Sequence, residues 1–194
     1  MRWVVVFRSC ALAAASAGCA SQSAPGTRPN HPYLEALGWY GVGNSTTAVV
    51  RASAGYVGRV CTALGEYDLR GGALIESGSR SYSGGNNSYS STGAEIEADG
   101  DLSPDLRIGP RVSVALPLAP ETGFVATAGV HLRTDHFDFG AELMHDTGRG
   151  TAPSATEVAL AGGVSTNSVA GVVVGVLASA LAVGIAASVL GHDN

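Results

Sequence analysis

The sequence contains no lysine and is poor in charged and aromatic residues. All 11 basic residues among its 194 are arginine, 14% of the residues are charged, and 6% are aromatic. Soluble domains carry about 25% charged residues, so this chain has an unusually uncharged composition. It also contains no run of basic residues, the usual electrostatic footprint of a nucleic-acid-binding protein. Nucleic acid is therefore not an expected partner.

Recognised catalytic and metal-binding motifs are also missing. The sequence has no P-loop, no G-x-S-x-G elbow, no H-E-x-x-H pair and no dinucleotide fingerprint. No cysteine and histidine spacing matches a zinc site. If the residues before Cys19 are removed as a leader and Cys19 itself is modified, Cys61 is the one free cysteine of the mature chain. No intramolecular disulfide is then expected. We predict no enzymatic activity, no catalytic residue, no metal ligand and no cofactor.

The N-terminus is organised as an export signal. Arg2 and Arg8 form a positive region, residues 9–15 are weakly apolar, and the small residues Ser16, Ala17 and Gly18 follow. Arg8 splits an apolar stretch that is already short, so a secretory signal over residues 1–18 is favoured over a spanning helix. Cleavage by ordinary signal peptidase after Ala17 and retention of the leader are the alternatives to lipidation.

The segment Ser16-Ala17-Gly18-Cys19 resembles the lipobox of bacterial lipoprotein precursors. Ser16 stands where that family prefers leucine, and the other three positions match. The resemblance implies that Cys19 receives a diacylglyceryl group and becomes the first residue of the mature chain. Membrane lipid is then a partner, since acyl chains give stable anchoring. Ala20 lacks the aspartate that retains such proteins at the inner membrane in enteric bacteria, so an outer-membrane location is expected.

Four regions follow from these patterns. Residues 1–18 are the signal, and residues 19–33, rich in proline and serine, form the anchor site and an extended tether. Residues 34–165 form an antiparallel β-domain, and residues 166–194 form an apolar segment rich in glycine, alanine and valine.

Two-residue alternation predicts the strands of the β-domain. It is clear at 106–116, 124–134 and 137–147, weaker at 156–165, and moderate at 48–60. In the moderate segment, even positions such as Val50 and Tyr56 are apolar and odd positions such as Arg51 and Arg59 are polar, although Val49 and Val57 break the pattern. The serine- and glycine-rich segment 77–93 is predicted to be a long hairpin loop.

The register of two strands can also be predicted. Opposed residues of an antiparallel pair point to the same face. A tight turn at Asp135-His136 then places Arg133 opposite Asp138, together with two further pairs: Leu132 opposite Phe139 and Val130 opposite Ala141. The preceding strand, 106–116, is predicted to pair with 124–134 so that Leu116 lies opposite Phe124.

Such a meander fits two architectures. In a soluble sandwich the apolar faces pack against each other, whereas in a transmembrane barrel they face lipid and the polar faces line the lumen. Strands of about ten residues suit the barrel. The meander resembles small outer-membrane β-barrels of about eight strands over residues 37–165, by pattern only.

The C-terminal run 169–191 contains no charged residue and is long enough to span a bilayer as a helix. Gly171 and Gly175 form a G-x-x-x-G motif that permits close helix packing. The alternatives are a helix packed on the β-domain, or a strand over 169–176 that pairs with residues 158–164, which the many valines favour.

Two clusters of titratable residues have only weak chemical signatures. Glu95, Glu97, Asp99 and Asp101 alternate, but the loop after them departs from a calcium-binding pattern at Pro104 and Pro110. We interpret it as a solvated acidic turn, with a weak divalent-ion site as the alternative. The second cluster contains His131, Asp135, His136, Asp138, Glu142 and His145. We do not expect it to form a metal or acid–base site, because its three histidines do not point to the same face of the sheet.

We therefore predict a mainly β envelope lipoprotein with a structural or interaction role, anchored at the outer membrane and able to form oligomers or bind other envelope proteins. The main alternative is a small outer-membrane β-barrel of pore or adhesion type. An envelope hydrolase or metal-binding protein is a third, weaker alternative.

Overall fold

The structure is a computed structural model that describes residues 30–43, 45–62, 65–118, 122–148, 152–166, 171, 173–178, 180 and 181. These residues form eight strands and one short helix, α1, within residues 171–181. The strands are β1 His31–Gly43, β2 Thr46–Thr62, β3 Gly65–Tyr82, β4 Gly85–Ser103, β5 Leu106–Pro117, β6 Val125–Arg133, β7 Phe137–Asp146 and β8 Ala155–Thr166.

The eight strands form one closed antiparallel barrel in sequence order. Each strand pairs with the next, and β8 pairs back with β1, for example Trp39 with Ala161. Closure leaves no free sheet edge, so every strand has two hydrogen-bonded neighbours. The mainly β antiparallel meander is confirmed in its barrel form, and the sandwich alternative is wrong because the sheet closes on itself.

The predicted register of the later strands is confirmed. Arg133 pairs with Asp138, Leu132 with Phe139 and Val130 with Ala141. Strands β5 and β6 have the register predicted for them: Ala115 faces Val125, and Leu116 and Phe124 are the next positions outward on this ladder. The four segments predicted from 106 onward agree with β5 to β8 to within one residue at each end.

The predicted loop at 77–93 is wrong. These residues continue β3 and β4, which meet in a tight turn at Ser83-Gly84, and Tyr82 pairs with Gly85. Small polar side chains do not prevent backbone pairing once two long strands are already aligned, so composition alone misled the prediction. Strand β1 begins at His31, three residues before the predicted start of the β-domain.

Alternate residues point into and out of the barrel, and the usual distribution of polarity is inverted. The outward positions carry exposed apolar side chains, including Ile75, Val130, Leu143 and Leu160. The inward positions carry buried arginines and carboxylates along nearly the whole barrel. One inward apolar cluster lies among them, formed by Trp39, Val49, Tyr89, Val125, Met144, Ala159 and Ala161.

The two ends of the barrel differ. The terminal end carries the start of β1, the end of β8 and the turns after β4 and β6, which span Pro104-Asp105 and 134–136. The hairpin end carries the tight β3–β4 turn and the longer connections 118–124 and 147–154. Every connection at the end that carries the start of β1 and the end of β8 is short, whereas the other end has two short turns and two longer connections.

Helix α1 lies against the outer wall of the barrel. A Cβ on Gly175 would meet the side chains of Val164 on β8 and Ala36 on β1, and a Cβ on Gly171 would lie 2.6 Å from Oγ1 of Thr166. Ala36 points outward yet is fully buried, which is consistent with this cover. The strand alternative is wrong for described residues 171 and 173–176, which are helical. No helix in the described part of the chain is both long enough and apolar enough to cross a bilayer.

Candidate functional site

The barrel interior holds a buried network of charged side chains, which we call the central charge network. Alternation places one or more of its members on each of six strands, and the narrow lumen of an eight-stranded barrel brings them together. Its members are Glu35 on β1, Arg70 on β3, Glu95, Glu97 and Asp99 on β4, Arg111 on β5, His131 and Arg133 on β6, and Asp138 and Glu142 on β7.

Glu35 is the hub of this network. Its Oε2 accepts hydrogen bonds from Nη1 of Arg133 at 2.6 Å and from Nη2 of Arg70 at 3.3 Å, and its Oε1 accepts one from Arg111. One fully buried carboxylate therefore contacts three guanidinium groups. In a low-dielectric interior each of these arginines depends on such a partner, because an isolated buried charge is strongly unfavourable.

Arg111 and Arg133 link the hub to the opposite wall. Arg133 donates to Glu97 at 2.6 Å and to Asp138, and Arg111 lies 3.2 Å from Glu97. Both guanidinium side chains are about 1% exposed. Bidentate and shared arginine–carboxylate contacts fix both position and orientation. These two side chains therefore bridge the lumen between β1, β4 and β7.

His131 joins two further carboxylates. Its Nδ1 lies 2.7 Å from Oδ1 of Asp138, and its Nε2 lies 2.8 Å from Oε1 of Glu142. Carboxylates only accept hydrogen bonds when ionised, and only the imidazolium form of histidine has an N–H on both nitrogens. The geometry therefore suits a charged His131 that acts as a fourth cation in the network.

Gly140 provides the space for the His131 ring. A Cβ at Gly140 would lie 2.5 Å from Cε1 and Nε2 of the ring. We expect Gly140→Ala to lower the free energy of unfolding by about 1–3 kcal/mol, as overpacking does, because the ring must leave its two carboxylates. Urea titration of the full chain in detergent measures this. Gly58→Ala is the matched control, since nothing lies within 4 Å of a Cβ there; equal losses in the two variants would refute the explanation.

Glu97, His131 and Asp138 each offer a ligand atom, and these atoms lie within 4.8 Å of one another. This donor set has the composition of a divalent-metal site. However, the guanidinium of Arg133 contacts both Glu97 and Asp138. The arrangement therefore places an arginine where a metal cation would have to sit, and it serves as a salt-bridge cluster without needing one.

Further ion pairs extend the charged interior to both ends. Arg51 pairs with Glu76 at 3.2 Å and lies over the ring of Trp39, with its Cζ 5.3 Å from the ring centroid. At the hairpin end Arg80 lies 3.2 Å from Asp146. At the terminal end Arg107 lies 3.2 Å from Asp68. The charged side chains thus form a column along the barrel axis, interrupted by the inward apolar cluster.

The structure corrects the interpretation of the acidic row on β4. Glu95, Glu97 and Asp99 share one face as predicted, but that face is the buried interior. The solvated-turn interpretation holds for exposed Asp101 and Asp105 alone. Asp101 is the last residue of the row before a bulge between Asp101 and Ser103, and Asp105 follows that bulge in the turn. The alternation identified a common face correctly but gave no sign that arginines from other strands would meet it.

The histidine and acid cluster divides as its parity predicted. His131, Asp138 and Glu142 converge inside the barrel, whereas His145 points outward and contacts Thr156. His136 and Asp135 are exposed in the β6–β7 turn. Sequence reasoning missed Glu35 and Arg70 as members of the network. Their positions in the alternation of β1 and β3, which place them on the inward face, could have identified them.

Cys19, the predicted lipidation site, lies outside the described residues, so lipidation stays a prediction. Cys61 lies on β2 opposite Glu66. Gly171 and Gly175 face the barrel wall, so the partner of this small-residue motif in the structure is a sheet. Comparison with known proteins found no matching family model, no similar curated protein and no similar solved structure.

Proposed function

We propose that this chain is a small membrane-spanning β-barrel of the bacterial outer envelope with a structural or adhesion role. The observation that carries the proposal is the inverted polarity of the barrel. Arg111 and Arg133 are buried inside, while Leu160 is 69% exposed and Ile75 is 63% exposed on the outside. An apolar exterior around a polar lumen is the distribution that a lipid environment favours.

The apolar exterior extends over many strands. Exposed apolar side chains occur at outward positions of β3 to β8, and include Ile96, Val112, Val130, Phe139 and Leu160. Exposed apolar residues on so many neighbouring strands are typical of a surface that contacts a membrane or a partner. The outward face of α1 continues it with Val173, Val174, Leu177 and Leu181. Contact with acyl chains removes this surface from water.

The strand lengths fit a barrel that crosses a bilayer and carries a polar hairpin that extends beyond it. Strands β5 to β8 have 9 to 12 residues, and a tilted strand of about 9–11 residues crosses a bilayer. Strands β3 and β4 have 18 and 19 residues. Residues 85–90 of β4 extend past the end of β5, where Ser91 pairs with Pro117, and the hairpin carries exposed Ser81 and Asn86 near its turn. We infer that this hairpin projects into water and offers a surface for adhesion or interaction.

The filled lumen favours a structural or adhesion role over a pore. Arg111, Arg133 and Glu35 occupy the centre of the lumen with almost no exposed surface, and the inward apolar cluster closes it again toward the hairpin end. An ion crossing the barrel would have to separate buried salt bridges, at a cost of several kcal/mol.

Conductance measurement tests this role. We expect the full-length protein, refolded and inserted into planar lipid bilayers, to give no steady current above that of the bare bilayer. Folding is checked by heat-modifiable migration on a gel, which reports a closed barrel. A reproducible ohmic conductance from the folded protein would contradict the sealed lumen and favour the pore alternative.

The lipid anchor at Cys19 is part of this proposal and rests on the sequence alone. Acylation there would attach the segment before β1 to the leaflet nearest the terminal end of the barrel. Mass spectrometry of the N-terminal peptide tests it, and an unmodified Cys19 would remove the anchor while leaving the barrel proposal intact. Association with further copies of the chain or with other envelope proteins is a related proposal.

A further inference from the structure

A cavity of about 230 Å³ opens at the terminal end of the barrel. Its lining includes Tyr33, Arg70, Arg107, Asp135 and Ser165, so one carboxylate lies beside the two arginines. The volume is equivalent to about seven or eight water molecules at roughly 30 Å³ each, so it suits a small ligand or one headgroup. The cavity lies outside the central charge network and shares only Arg70 with it.

Arg70 lies against an aromatic ring and shares its carboxylate partner with two other arginines. Its Cζ lies 4.2 Å from the centroid of the Tyr33 ring, which supports one face of the guanidinium. Its partner Glu35 also contacts Arg111 and Arg133, so that carboxylate neutralises only a share of the Arg70 charge. The Nε of Arg70 is buried and has no hydrogen-bond partner within the described part of the chain.

Arg107 lines the same cavity and is paired with two carboxylates. It donates to Asp68 at 3.2 Å and to Asp135 at 3.0 Å. Asp68 is shared with Arg59, whose Nε lies 3.0 Å from it, and Asp135 is exposed on the β6–β7 turn. The buried Nε of Arg107 also finds no hydrogen-bond partner among the described residues. Two arginines thus line one cavity, and each shares its buried carboxylate partner with another arginine.

We propose that this cavity binds a phosphate or phosphate monoester group. Guanidinium groups recognise phosphate oxygens through parallel hydrogen bonds, and the several oxygens of one phosphate can satisfy two arginines at once. A carboxylate offers only two oxygens. The hydroxyl of Ser165, which already accepts from Arg70 at 3.4 Å, provides a further donor at the cavity wall. The ligand can be a free phosphate or the headgroup of a lipid at the adjacent leaflet.

Calorimetric titration of the full-length protein in detergent micelles with inorganic phosphate tests the site. We expect saturable binding that Arg107→Gln weakens about tenfold or more, since a charge-assisted hydrogen bond is lost. Asp68 keeps Arg59 in this variant, so no buried carboxylate is left without a cation. Arg70→Gln is the second variant and is expected to weaken binding to a similar extent.

Arg59→Gln is the matched control. It removes the same charge at the same end of the barrel and leaves Asp68 paired with Arg107, but Arg59 does not line the cavity. Binding should be nearly unchanged in this variant. An equal loss in Arg59→Gln would show that net charge alone attracts phosphate and would overturn the proposal, as would acetate binding as tightly as phosphate.

Lipid nanodiscs containing phosphatidic acid distinguish the two sources of the group. Binding of phosphatidic acid but not inorganic phosphate, with the same dependence on Arg70 and Arg107, assigns the site to a lipid headgroup. Binding of inorganic phosphate in micelles assigns it to a free ligand. Failure of both probes to bind the folded protein overturns the proposal and leaves the barrel proposal unaffected, because the latter depends on the outer surface.

Discussion

Replacing Glu35 by glutamine is expected to lower the free energy of unfolding by about 3–5 kcal/mol, the usual cost of breaking a buried ion pair on one side. Three guanidinium groups contact this carboxylate, and Arg111 and Arg133 are both about 1% exposed. Glutamine keeps the size of the side chain but cannot neutralise a cation. Arg70, Arg111 and Arg133 would then repel one another across a neutral amide.

Urea titration of the refolded protein in detergent measures the effect. Glu66→Gln is the matched control, because Glu66 also pairs with an arginine, Arg59 at 3.3 Å, but its side chain is half exposed. Exposed ion pairs contribute at most about 1 kcal/mol. If Glu35→Gln costs no more than Glu66→Gln, the central charge network is not what holds the lumen together.

Placing arginine at Val130 is expected to destabilise the protein in a bilayer by about 2–4 kcal/mol, the cost of a cation near the membrane midplane on the lipid face of a barrel. Val130 lies in the middle of β6, points outward and is 52% exposed. Its neighbours on the ladder are Pro110 and Ala141, so the new side chain would have no carboxylate beside it.

The same substitution in a soluble barrel would change stability by about 0.5 kcal/mol or less, since an exposed position tolerates a polar residue. Ser81→Arg is the matched control; Ser81 is exposed on the polar β3–β4 hairpin that we place in water. Urea titration in lipid vesicles should separate the two variants by about 2 kcal/mol or more. Equal stability of the two would argue against lipid contact at Val130.

The later strands could be predicted from sequence because their pattern is strict and their turns are short. Within the strands from Leu106 onward most alternate residues are apolar, and the ion pair Arg133–Asp138 fixed the register of β6 and β7. A slip of one residue would have moved every apolar side chain to the other face. The alternation of odd and even positions therefore allowed us to predict where the strands lie and which residues share a face.

What parity could not determine is which face lies inside. The acidic row at Glu95, Glu97 and Asp99 seemed suited to solvent, and its burial depends on Arg70, Arg111 and Arg133 from three other strands. Arg70 and Arg111 lie directly opposite Glu97 on the two strands that flank β4, whereas Arg133 reaches the row from β6 inside the closed barrel. Glu35 shows the same limit: its immediate neighbours Leu34 and Ala36 give no sign that three arginines will converge on it.

Local composition was misleading at 77–93, where backbone pairing continues and only a few side chains, such as Arg80 and Tyr89, are buried inside the barrel. Ser77 to Gly93 contains many small polar residues, yet it forms regular pairs across β3 and β4. Hydrogen bonds between backbones do not depend on side-chain type, and long neighbouring strands provide the alignment. The segment is polar because it carries the outer surface of the hairpin, and a loop has the same composition for a different reason.

Spin-labelled lipid tests the central claim most directly, because it reports which face of each strand meets acyl chains. With a nitroxide near the end of the acyl chain, the methyl resonances of Leu143 and Val130 should lose intensity. Those of Met144 and Val125, which are buried inside the barrel, should be preserved. Leu143 and Met144 are adjacent on β7, so their contrast controls for depth. Preserved outward methyls, or equal attenuation of Leu143 and Met144, would contradict a barrel with its apolar face in lipid.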